Sequence, residues 1–189
     1  MNLQCGCDET GRGSAIGEIY VCAVILDPMK PIDGLRDSKK LTPKRREELA
    51  AEIKKSAIAW SLAKASLEEI ETLNVHNANL LAMKRAVESL SVKPDKVWVD
   101  GTHVPDIDIQ AEAVIKGDDK IAAISAASII AKVERDQAMG EYHELYPQYG
   151  INKHKGYLTR QHMDALREYG PCPLHRKTYA PIKELIGGK

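Results

Sequence analysis

The sequence predicts an α/β fold, a sheet with helices packed on it, followed by a mostly helical C-terminal part. Two observations carry this reading: short apolar, β-branched runs alternate with longer segments of helical spacing, and the helical segments open on recognisable caps. A third is composition. With 43% apolar and 29% charged residues in 189, the chain matches an average soluble domain, which excludes disordered, collagen-like and membrane classes. That length fits one domain able to bury roughly two thirds of its unfolded surface. Residues 1–140 or so are expected to form its core, and 141–189 a basic helical segment.

The first element is a short buried strand at residues 3–7, apolar and bounded by glycine and charge. Residues 18–26, EIYVCAVIL, form a second, rich in β-branched side chains and stopped by Asp27 and Pro28. Thr42 reads as an N-cap and Pro43 as the first residue of a helix to about Lys55. A third strand is expected at 57–63, and Ser66 with Glu69 has the spacing of a capping box that opens a short helix. Residues 74–90 follow as a longer helix with Val75, Ala78, Ala82, Ala86 and Leu90 near one face. Strands at 96–99 and 112–115 precede an alanine- and isoleucine-rich helix over about 119–139, whose small residues suit close packing on a sheet. Thr159 caps a further helix to Tyr169, stopped by Gly170 and Pro171.

No apolar run approaches a bilayer span and no signal-peptide pattern opens the chain, so a cytoplasmic protein without a membrane partner is expected. Cys5, Cys7, Cys22 and Cys172 lack zinc or redox spacing and read as free thiols of a reducing compartment. Cys172 and His175 make half a zinc motif with no second half nearby. Net charge is zero, but from Ile151 onward there are eight Lys and Arg against three acids, a net +5 that leaves −5 on the rest. An acidic body beside a basic segment suits a protein that gathers cations at one place and touches a polyanion next to it. A solvated basic surface gives the same count.

The acids have a pattern. Asp8 closes the first strand with Glu9 beside it, Asp100 closes VWV, and Asp118 follows the strand ending in VIK. In open α/β sheets the carboxyl ends of strands are where ligands bind. Four carboxylates gathered there repel one another unless cations lie between them. Hard divalent ions with oxygen ligands fit, Mg²⁺ above all. Two such ions about 4 Å apart can activate a water on one side of a phosphorus atom and stabilise the departing oxygen on the other.

These acids lie in segments that resemble the ribonuclease HII family: CDETGRG (7–13), DSKKLTPKRREEL (37–49), VDG (99–101), KGD (116–118), SAASIIAKVERD (125–136), YPQYGINKHKGY (146–157) and HRKTYAP (175–181). The resemblance runs nearly end to end and is nearest to the short bacterial form. It implies a ribonuclease H-like mixed sheet flanked by helices, a monomer, and Mg²⁺ or Mn²⁺ held by Asp8, Glu9, Asp100 and Asp118. It leaves Asp136 as a structural acid. It further implies hydrolysis of the RNA strand of RNA/DNA hybrids and nicking 5′ of ribonucleotides embedded in a DNA duplex.

Arg12 between two glycines raises its own question. Gly11 and Gly13 let the backbone approach a sugar or phosphate closely, and Arg12 adds a forked donor. Such a tripeptide alone marks only a turn. By resemblance, Gly11, Arg12 and Gly13 contact the 2′-hydroxyl of the ribonucleotide 5′ of the cut, and Tyr157 stacks on the following deoxyribose. Lys39, Lys40, Lys132, Lys153 and Lys155 fall in matching motifs as phosphate contacts, while His154 and His175 are expected to support loops. The chain reads GRGSAIGEI where the family has GRGPLAGPV, so Ser14 and Glu18 replace prolines, and Thr102 replaces an asparagine. That exchange predicts a looser loop and an extra acid near the site. The C-terminal IKELIGGK lacks the paired aromatics of a sliding-clamp peptide. A ribonuclease HIII-like enzyme, which usually lacks this arginine, and a hybrid-binding protein without catalysis are the alternative readings.

Overall fold

The computed structural model describes residues 2–35 and 38–187 of the chain. Strands β1 (Gln4–Thr10), β2 (Ile19–Ile25) and β3 (Ala59–Ala65) pair antiparallel, while β4 (Lys96–Asp100) and β5 (Gln110–Val114) add in parallel on the other side of β1. The strand order is β3-β2-β1-β4-β5, a mixed sheet as expected. All seven residues of β2 are buried, because helices cover both faces of the sheet. Helix α2 (Leu67–Glu88) packs Ala78, Ala82, Met83 and Ala86 against the face carrying Cys5, Cys7, Val97 and Val99. Helices α1 (Pro43–Ser56) and α3 (Ala122–Leu145) cover the other, around Cys22 and Val24.

Gly6 explains how closely α3 lies. A Cβ added there would stand 2.1 Å from the carbonyl carbon of Ala123, so the helix backbone rests directly on β1. The alanine run of α3 serves the same contact, with Ala123, Ala126 and Ala127 buried. Beyond the sheet, α4 (Ile151–His154), α5 (Arg160–Tyr169) and α6 (Ala180–Gly187) gather around a separate cluster of Ile16, Met139, Tyr149, Ile151, Leu166 and Ile182. None of the described helices is long and apolar enough to cross a membrane. All four cysteines are free thiols.

Caps fall where expected. Thr42 accepts the Arg45 N–H, Ser66 and Glu69 close a reciprocal capping box, and Thr159 accepts the His162 N–H. The two helices expected at 66 and 74 are joined in α2 across a kink at Asn74, whose φ of 69° and ψ of 163° are not helical. Its Oδ1 accepts the N–H groups of His76 and Asn77, both at 3.0 Å, and so caps the second part afresh. Several boundaries differ, β5 for one beginning two residues earlier than expected. β1 continues to Thr10 because its pairing with β2 does, which puts Asp8 and Glu9 inside the strand. β3 lies two residues later than expected, in the register fixed by β2. Helix α3 starts only at Ala122, since Gly117–Asp119 form a 3₁₀ turn, and runs on to Leu145.

Candidate active site

The parallel register of β1 and β4 pairs Cys7 with Val99, so Asp8 and Asp100 stand one step further along, side by side where β4 ends and β1 goes on paired with β2 alone. Asp8 shares with Gly6 the face on which α3 lies, and it is 5% exposed. Its Oδ1 accepts the Glu9 N–H at 2.7 Å. Asp100 Oδ1 accepts the Gly117 N–H, also at 2.7 Å. That second bond ties the 3₁₀ turn to the end of β4 and brings in Asp118; Lys116, at a φ of 55°, leads the chain into the turn. Asp8, Glu9, Asp100 and Asp118 thus line one cavity of about 310 Å³, shared with Thr10, Ser38, Lys39, Ser128, Lys132 and Tyr157.

Burial, and after it the charges of Glu9, Asp100 and Asp118, hold the Asp8 carboxyl well above its ordinary range. Glu9 is raised as well, by burial first, with Arg12 pulling the other way. Its Oε2 is buried without a hydrogen-bond partner. Carboxylates in this condition call for positive charge, and a donor set made only of oxygen suits hard divalent cations. The residues therefore fit such ions. Among the described residues, however, no three His, Cys, Asp or Glu side chains are already closed around one cation-sized point. The acids ring the cavity instead.

On the far side of Glu9 lies the 11–13 loop. Gly11 has a φ of 88°, and a Cβ there would stand 2.1 Å from Nε of Arg135. Arg135 and Arg176 are both fully buried, and among the described residues neither donates to a carboxylate. Arg176 spends its donors on the carbonyls of Gly11 (2.8 Å), Arg12 (2.9 Å) and Gly17 (2.8 Å) and on the Tyr179 hydroxyl, which itself donates to the Arg12 carbonyl. Arg135 bridges the carbonyls of Ile16 and Lys155. Sequence reasoning overlooked both, although each lies in a quoted motif. An arginine read from sequence looks like surface charge, and only folding turns these two inward onto backbone carbonyls.

Tyr157 is 41% exposed and faces the loop, its Cε1 3.7 Å from where a Cβ on Gly13 would lie. The Arg12 side chain is exposed and lines a second, small cavity with Glu9, Asp100, Thr102 and His103. The lysines divide. Lys39 and Lys132 line the acid cavity, and Lys132 is tied to Asp136 at 2.6 Å. Lys40 reaches Asp119 beside it at 2.5 Å. Lys155 lines a neighbouring cavity between α1 and α3, and Lys153 is exposed on α4 and lines neither. Asp136 pairs with Lys132 and Arg46 outside the acid cavity. Asp37 of the DSKK motif lies outside the described residues.

The expected looseness of the loop is corrected. Ser14 is fully buried, donates to the Ile16 carbonyl at 2.9 Å and accepts the Ile16 N–H at 3.2 Å, so it closes the turn that a proline would have stiffened. Glu18 is not an extra acid of the cavity. It accepts the Tyr142 hydroxyl at 2.6 Å on α3.

Comparison with known proteins agrees with this geometry. The sequence model of the family described as Ribonuclease HII matches residues 5–181. A ribonuclease HII of Desulforamulus reducens is 67% identical over 189 residues, covering 100% of this chain and 96% of that one. Among solved structures, the ribonuclease H2 of Pyrococcus horikoshii superposes with a TM-score of 0.83 at 26% identity, covering 98% of each chain. The ribonuclease HII of Archaeoglobus fulgidus, determined in a complex with PCNA, gives 0.77 at 27% identity over 94% of this chain and 95% of that one.

Proposed function

The chain belongs to the ribonuclease HII family, metal-dependent endonucleases of RNA/DNA hybrids, and from that premise we propose that it also nicks DNA duplexes 5′ of single embedded ribonucleotides. The products carry 3′-hydroxyl and 5′-phosphate ends. The observation that supports this is the meeting of Asp8, Glu9, Asp100 and Asp118 in one cavity whose lining also includes Tyr157, next to the 11–13 loop. Mg²⁺ or Mn²⁺, two ions with substrate bound, supply the nucleophile-activating and charge-stabilising chemistry in that cavity.

The protein's own groups do the rest. The four carboxylates hold the ions, and the burial of Asp8 keeps bulk water from competing for its oxygens. Gly11, Arg12 and Gly13 read the 2′-hydroxyl of the ribonucleotide: the carbonyls of Gly11 and Arg12 are turned back onto Arg176 and Tyr179, and the glycines leave room for close approach. Tyr157 lies against the next sugar, where a flat ring tolerates the lack of a 2′-hydroxyl. Lys39 and Lys132, with Lys40, Lys153 and Lys155 further out, meet the phosphates. The enzyme acts as a monomer. The A. fulgidus relative was determined in a complex with PCNA.

The test is a DNA duplex carrying one ribonucleotide, incubated with Mg²⁺, with Mn²⁺ and with chelator. Nicking 5′ of the ribonucleotide that chelator abolishes is expected. No nicking with either metal would reject the reading.

A further inference from the structure

Three imidazoles lie behind Tyr157, and their partners fix every proton on them. A backbone N–H only donates and a carbonyl only accepts. His162 Nδ1 lies 3.0 Å from the Tyr157 carbonyl, so it carries a proton and donates. His162 Nε2 is then an acceptor, and the His175 Nε2 that faces it at 3.0 Å must be the donor. That leaves His175 Nδ1 to accept the Cys172 N–H at 2.9 Å. The opposite arrangement, with His175 Nδ1 donating to the Cys172 carbonyl 3.3 Å away, would set His162 Nδ1 and the Tyr157 carbonyl against each other as two acceptors. The Cys172 carbonyl is in any case served by the His175 backbone N–H at 3.0 Å. His154 completes the group: it stacks on His162 at 4.3 Å, accepts the Gly156 N–H at Nδ1, and donates from Nε2 to the Tyr149 carbonyl.

Tyr157 is 41% exposed, with the Arg135 guanidinium 5.9 Å from its ring centroid, and where that ring lies depends on the backbone that carries it. That backbone leaves a turn of two consecutive left-handed residues, Lys155 at a φ of 53° and Gly156 at 85°, and its carbonyl is fixed by the Thr159 N–H and by His162. His175 also immediately precedes Arg176, the residue that grips the carbonyls of Gly11 and Arg12, and the segment is pinned by a bridge between Ile16 and His175. Two adjacent residues therefore support the two walls between which a sugar would sit: Arg176 the glycine loop, His175 through His162 the tyrosine.

We propose that the His175 to His162 relay sets the position of Tyr157 relative to the 11–13 loop, making both histidines positioning residues for the choice of sugar after the ribonucleotide. This rests on the reading of Tyr157 as the ring against that sugar. Burial also drives both imidazoles strongly toward the neutral form, as a relay with one proton per ring requires. Loss of the Tyr157 bond should let the ring drift, and a drifting ring should distinguish deoxyribose from ribose less well.

The readout is the ratio of nicking at a lone ribonucleotide to cleavage of a continuous RNA/DNA hybrid, measured beside the melting temperature. Tyr157→Ala should lower the ratio tenfold or more. His162→Gln keeps a polar group near the old Nε2 but loses the donor to Tyr157, and should lower the ratio at least threefold. His162→Asn, whose amide nitrogen lies near the old Nδ1, should hold it within twofold. A purely structural histidine would lower both activities together and leave the ratio alone. If Tyr157→Ala lowers the ratio and folded His162→Gln does not, the relay is overturned while the role of Tyr157 stands. An unchanged ratio in Tyr157→Ala overturns that role and the relay with it. The wild-type protein gives a second check by imidazole ¹⁵N NMR: His162 should be the Nδ1–H tautomer and His175 the Nε2–H tautomer, and the reverse pair would overturn the relay without any variant.

Discussion

Burial and three neighbouring carboxylates raise the Asp8 carboxyl, which sets function against stability at one residue. A group whose folded value is raised loses stability as pH climbs past its unfolded value, so at neutral pH the ionised cluster strains the fold. Asp8→Asn removes one charge from the cluster. Its metal-free form should melt a few degrees higher than wild type, at about 2–4 °C per kcal/mol of repulsion relieved for a chain of this size. Its cleavage rate should fall by a factor on the order of 10² or more, and the rise in melting temperature that Mg²⁺ gives the wild type should shrink. Calorimetry with and without Mg²⁺, beside a cleavage assay, checks all three. A variant that melts lower without metal would show that Asp8 is held by favourable contacts. The acids were legible because they recur at strand ends. Arg135 and Arg176 were not, since nothing in their spacing distinguishes a buried guanidinium from an exposed one.

Among the elements, the contact of α3 with β1 carries the site, because it fixes the strand that bears Asp8 and Glu9 against the helix that bears Ser128 and Lys132. Gly6 is what permits it. Gly6→Ala would drive a methyl into the backbone of Ala123, where no side chain can swing away. A loss of about 3 kcal/mol or more is expected in urea titration, the upper end of overpacking costs. Gly101→Ala is the control: it has a φ of 108° but no atom within 4 Å of the new Cβ, so backbone strain alone applies, about 1–3 kcal/mol. Equal losses at the two positions would mean that α3 yields. Element types were legible from period and caps, which are local. Their ends were less so: β1 outlasts its apolar run because β2 keeps pairing with it, and α3 waits for the turn that Asp100 holds through Gly117.

For the molecule as a whole, the buried imidazoles set the acid limit. His162 and His175 are pushed down to about 4, chiefly by burial, and His154 is lowered too. In the unfolded chain these groups take protons near 6.5. The stability they contribute is complete above that value and is lost as pH falls through 6.5 toward 4, because the unfolded state binds protons first. The raised Asp8 and Glu9 act in the opposite sense as they protonate, so the histidine contribution is read as a difference from His175→Gln, which leaves the acids in place. The wild type should lose stability more steeply than this variant, by up to about 1.36 kcal/mol per pH unit for the one proton. Parallel profiles would mean that His175 is already charged in the folded protein.

The sequence by itself determined the order and type of the five strands and the longer helices, their caps, and the four acids with the loop that follows the first two, because each of these is written in neighbouring residues or in a repeated local pattern. The tertiary structure alone decided that those acids share one cavity, that Ser14 tightens the loop, and that two arginines and a chain of imidazoles brace it. The arginine contacts join residues more than a hundred positions apart, and the serine and imidazole contacts depend on which way a side chain turns once it is buried; neither can be read along a chain.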